Sequence, residues 1–114
     1  MPRPAYKIMD DKELYTALVA KLSKDFSLEG SSLPVAADLT VIKEYLVNRI
    51  KELMSRDFER FVNSLYRIDV SESKVQEVLH AKDKTTIPDK LADLVIERQL
   101  LRLKTQLMYK QGKL

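Results

Sequence analysis

The residues best placed to do chemistry are Glu77 and His80, at the end of "SKVQEVLH". On a helix, residues three apart share a face, so this carboxylate and imidazole could ligate one metal ion. Diiron sites in helical bundles take such a Glu-x-x-His motif from two helices, with a carboxylate from each of two more. The chain holds 1 His in all, so one subunit cannot supply the second motif. Glu77 and His80 are therefore expected to be exposed groups near a helix end, where a protonated imidazole is mildly favoured. No catalytic, metal-binding or cofactor-binding residue is assigned.

Other chemistries are poorly served. Cysteine is absent, which removes disulfides, thiolate metal sites and thiol nucleophiles and suits a reducing cytoplasm. The 2 glycines, Gly30 and Gly112, cannot build a phosphate-cradling loop. A serine nucleophile would have to recruit His80, and no serine sits in an elbow motif. With 17 acids, carboxylate pairs can be drawn at will, so none stands out. These residues argue against an enzyme.

Charge is distributed unevenly. After Glu97 there is no acid, and Arg98, Arg102, Lys104, Lys110 and Lys113 give that end a charge of +5 within a net +3. A basic end can meet an anionic partner, and phosphate contacts need clustered Lys and Arg. The simpler reading is favourable charge at a helix C-terminus. The first ten residues, with Pro2, Arg3, Pro4 and Lys7, have no apolar core of a secretory leader. No apolar run approaches the roughly 20 residues of a membrane span.

The elements that must position these residues read as helices. Gly is rare, 32% of residues are charged, and Leu, Lys, Glu, Ala and Arg are abundant. "MPRPAYKIM" reads as an arm, which Tyr6 and Ile8 could pin to the body. Leu14, Leu18, Leu22 and Phe26 form one stripe over about Asp11 to Leu28, with Asp10 and Asp11 as caps and Gly30 as the stop. A long second helix is expected over Ala36 to Leu65. Its stripe begins with Leu39, Ile42, Leu46, Ile50 and Leu53, then shifts to Met54, Phe58, Phe61 and Leu65. The shift leaves room for a kink or break near Asp57, with Ser55 as a possible cap.

"YRIDV" leaves the helical pattern, and Ser71 can cap a short third helix with Val75, Val78 and Leu79 on its apolar side. The fourth helix starts near Thr86 or Pro88, where Thr86-x-x-Asp89 resembles a capping box, and runs to Lys110 or Gln111. It carries two apolar stripes. One is Ala92, Ile96, Leu100, Leu103 and Leu107; the other is Leu91, Leu94, Leu101 and Met108. A surface helix needs one apolar face, so two faces imply two neighbours. The tyrosines are scattered and read as half-buried rim residues.

"FVNSLYRIDVSESKVQEVL" and "IPDKLADLVIERQLLRLKTQ" together resemble small uncharacterised all-helical proteins of Bacteroidetes-type bacteria. The resemblance implies a bacterial cytoplasmic protein and transfers no functional residue.

The expected molecule is all-α, with an arm over 1–10 and a single helical domain over 11–114. The domain is a small bundle of three long helices and one short helix. It works in the cytoplasm as a non-enzymatic interaction or structural protein, without cofactor or membrane. The expected partner is a second copy in a homodimer, through Ile96, Leu100, Leu103 and Leu107, whose alternating spacing suits a helix seam. An unidentified protein partner is also open. The alternative is a nucleic-acid-associated protein using the basic helix end, with Arg98, Arg102, Lys104, Lys110 and Lys113 as anion contacts.

Overall fold

The computed structural model describes residues 11–28 and 38–110, with side chains for 12–28 and 38–106. The expected arm with Tyr6 and Ile8, the cap at Asp10, the stop at Gly30 and the basic residue Lys113 lie outside the described residues. Among the described residues the chain is helical and no strand occurs. The elements are α1 (Asp11–Phe26), α2 (Leu39–Arg56), α3 (Phe58–Arg67), α4 (Glu72–Leu79), a 3-10 turn (Lys84–Thr86) and α5 (Ile87–Lys110). None of these helices is long and apolar enough to cross a membrane.

The stripe on α1 does what its spacing predicts. Leu18, Leu22 and Phe26 are buried and Leu14 is half-buried. Ser27 then takes a left-handed backbone (φ 55°), and Leu28 is buried in the core beyond it. The Arg49 guanidinium donates through Nε to the Phe26 carbonyl at 2.8 Å. A cation at the carbonyl end of a helix satisfies an orphan acceptor and is favoured by the dipole.

Asp38 caps α2, its carboxylate accepting the Val41 N–H at 3.0 Å. Ile42, Leu46 and Ile50 are fully buried. The expected long second helix is two helices, so the described residues form five α-helices instead of four. Asp57 divides them. Its N–H donates to the Leu53 carbonyl to end α2, and its carboxylate accepts the Arg60 N–H to start α3, both at 3.0 Å. Ser55 is not the cap: its hydroxyl donates to the Glu52 carbonyl within α2. The break brings Phe61 and Leu65 of the second stripe into the core, buried as deeply as Ile42, Leu46 and Ile50, while Phe58 of that stripe is left 45% exposed. Phe61 packs on Phe26 with ring centroids 6.3 Å apart.

The corner between α3 and α4 is built from hydrogen bonds. Asp69 N–H donates to the Tyr66 carbonyl and Val70 N–H to the Leu65 carbonyl, with Asp69 left-handed at φ 65°. This pair of bonds is a Schellman motif, and Val70 and Leu65 supply its apolar contact, both buried. Ser71 then caps α4 as its type predicts, accepting the Lys74 N–H at 3.5 Å.

The expected capping box at Thr86 does not form. Asp83 instead organises the turn, accepting both the N–H and the hydroxyl of Thr85. The Thr85 hydroxyl and then its N–H hold the Asp83 carboxyl below the usual carboxylate range. Helix α5 follows and packs against α1, α2 and α4. Lys43 on α2 ties it down, reaching Asp93 at 2.8 Å and Asp89 at 3.2 Å. The hydrogen bond that the Lys43 ammonium donates to Asp93 is the main cause that holds it above its usual range, with partial burial opposing and Asp89 adding to it.

Candidate interaction surface on the last helix

Glu77 and His80 are exposed on α4. His80 is the C-cap of that helix, and its Nδ1 lies 2.7 Å from the Gln76 carbonyl. Among the described residues, no group of three or more His, Cys, Asp or Glu is placed to hold a metal ion.

The expected dimer seam on α5 is largely used within the subunit. Ile96 and Leu103 are buried in the core, at 7% and 8% exposure, and Leu100 is half-buried against it. The side chain of Leu107 lies outside the described residues. The physical reason is Gln99, a polar residue that belongs to neither stripe. It is fully buried, and its Nε2 donates to the carboxylate of Asp25 on α1. With Gln99 inside, the buried residues Leu91, Ala92, Val95, Ile96, Gln99 and Leu103 form one broad inward arc. The first stripe runs along one edge of this arc and Leu91 sits at the other, while Leu94 and Leu101 of the second stripe fall outside it.

Of the basic residues, Arg98 and Arg102, four apart on α5, share one side of the helix, and Lys104 stands apart from them. Arg98 stands 3.7 Å from Asp69 and is two-thirds buried. Arg102 is half-buried, and Lys104 is exposed. At about 100° per residue, Lys104 lies far around the helix from Arg102. The side chain of Lys110 lies outside the described residues.

What α5 leaves outward is the strip carrying Leu94, Glu97, Leu101 and Lys104. Leu101 is 55% exposed, and Leu94 is half-buried. The strip borders a groove of about 210 Å³ between the start of α4 and α5, which Val70, Lys74, Leu94, Glu97, Arg98 and Leu101 help to line. Its floor is apolar, and its rim carries both charge signs. A wider recess beside α2 includes Arg49 and Glu52, but these two bind each other at 3.3 Å and Arg49 also holds the Phe26 carbonyl.

Sequence reasoning placed Leu94 and Leu101 on the second stripe but favoured the first as the seam. The signal that separates them is the centre of the inward arc. Once Gln99 is set at that centre, Leu101 falls on the far side. Comparison with protein-family models, curated proteins and solved structures found no match to the chain.

Proposed function

We propose that the protein is a non-enzymatic helical interaction protein that binds another protein through the outer strip of α5. One observation carries this reading: Leu101 stands 55% exposed where α5 borders the α4–α5 groove. An isolated exposed leucine is ordinary on a soluble surface. Leu101 is not isolated, because Val70 and Leu94 line the same groove, and Glu97, Arg98 and Lys74 ring it. An apolar centre with a charged rim is the make-up of a small recognition surface.

The rigidity of the site supports the same reading. Its α4 side is fixed by the Schellman corner and the buried Val70 and Val75, and its α5 side by the arc around Gln99. A preformed surface loses little conformational entropy on binding.

The test is a photoreactive benzoylphenylalanine at Leu101, irradiated in the producing cell. A control chain carries it at Phe58, which is 45% exposed on α3. A discrete crosslinked species from position 101 and none from position 58 is the expected result. Equal labelling at both positions, or none at 101, overturns the reading.

A further inference from the structure

The outer strip carries a charge pattern that one occupant matches without further assumption. Glu97, Leu101 and Lys104 follow one another at four and three residues, so they share one helix face. Glu97 and Lys104 are seven residues apart, two turns, or roughly 10 Å along the axis. That separation is too long for an ion pair within α5. Both side chains are exposed, and neither joins an ion pair with another described residue. An acid and a base thus flank an exposed leucine, each outside any ion pair among the described residues.

We infer that the occupant is a second copy of this chain, its α5 antiparallel to the first and crossing it at Leu101. This rests on the proposed use of the outer strip. The geometry follows from twofold symmetry, in which residue i meets residue j and j meets i. With Leu101 on Leu101 of the partner subunit, a residue three or four before the crossing meets one three or four after it. Glu97 then faces Lys104 of the partner subunit, and Lys104 faces Glu97 of the partner subunit. Two ion pairs close over two leucines, and Leu94 extends the apolar floor at each end.

A parallel pairing would set Glu97 on Glu97 and Lys104 on Lys104, which repels at both positions. The alternating four-and-three spacing is that of helix-on-helix seams. The area of one helix pair is small, below the roughly 1,200 Å² of stable complexes, so the dimer is a weak one that fills at high protein concentration.

The experiment is sedimentation equilibrium of the full chain, with Glu97→Lys, Lys104→Glu and the double variant beside the wild type. All four are measured at one low ionic strength, with thermal melts to show that each folds. The wild type should dimerise. Each single variant places like charges together twice and should weaken the dimer about tenfold or more. The double variant exchanges the charges and should restore affinity to within about threefold of wild type.

A wild type that stays monomeric up to millimolar concentration overturns the inference. So do single variants as tight as wild type, or a double variant as weak as the singles. If the wild type is monomeric while position 101 still crosslinks to a partner of different mass, the second copy is excluded and the proposed use of the strip survives. If position 101 crosslinks to nothing, that use fails as well.

Discussion

Asp69 holds a left-handed backbone at φ 65°, a region that costs an ordinary L-residue about 1–2 kcal/mol and that Asp tolerates better than most. Asp69→Gly should therefore stabilise the protein slightly, by about 0.5 kcal/mol, after the extra freedom of glycine in the unfolded chain is subtracted. The ion pair lost with Arg98 is 3.7 Å long and exposed on the Asp69 side, so it contributes little. Asp69→Val, β-branched and disfavoured there, should cost at least about 1 kcal/mol. Urea midpoints would check the order glycine, wild type, valine; a valine variant as stable as wild type would show that the corner is not held as described.

Gln99 is the other decisive residue. It is fully buried, with Nε2 on Asp25 and Oε1 without a hydrogen-bond partner among the described residues. Gln99→Glu would set a second carboxyl against Asp25. Desolvation and the neighbouring carboxylate both raise the folded-state pKa of such a group. Folding then favours its protonated form, so stability falls as pH rises above its unfolded value of about 4.3. Melting temperatures of the variant and wild type should converge near pH 4 and separate toward pH 7. Curves that stay parallel would show that residue 99 is not enclosed beside Asp25. This residue also marks where sequence reading stops: a glutamine seen in one dimension is polar, and only its partner across 74 residues makes it a core residue.

At the scale of elements, the stripes of α1 and α2 were legible because apolar side chains at a four-residue step have one place to go. The same is true of Ser71, whose type and position before an amphipathic segment name a cap. The break in the second helix was legible only as a shift in the stripe. Which residue makes the break depends on where the chain must turn so that Phe61 and Leu65 meet the core of α1 and α2. Asp57 serves both helices, receiving Arg60 N–H while its own N–H closes α2. Asp57→Ala should cost about 1 kcal/mol, the usual loss of an aspartate cap. Asp57→Asn and Asp57→Ser, which can still accept that bond, should retain most of the stability. Ser55→Ala, by contrast, should change it by less than about 0.5 kcal/mol, since Ser55 is exposed and its bond lies inside α2. Equal losses at 55 and 57 in guanidinium denaturation would contradict this division of labour.

On the scale of the whole molecule, one hydrophobic core joins the described helices, and α5 lies at its centre, in contact with α1, α2 and α4. The residues expected to meet a second subunit are mostly the ones that close the first. That distinction can be measured with two leucines two residues apart. Leu103 is 8% exposed and Leu101 is 55% exposed, on nearly opposite sides of one helix. Leu103→Glu puts a carboxylate at a position only 8% exposed and packed in the apolar core. Such a change costs several kcal/mol, comparable to the whole stability of a domain of this size. The variant should show no cooperative thermal transition. Leu101→Glu places its charge in solvent and gives up only a half-buried methyl pair, about 1 kcal/mol or less, a shift of roughly 4 °C. It should fold, with wild-type helicity by circular dichroism, yet lose the concentration-dependent dimer, because two carboxylates would meet at the crossing point. If Leu101→Glu unfolds and Leu103→Glu does not, the inward and outward faces of α5 are reversed, and the surface proposed here is the core.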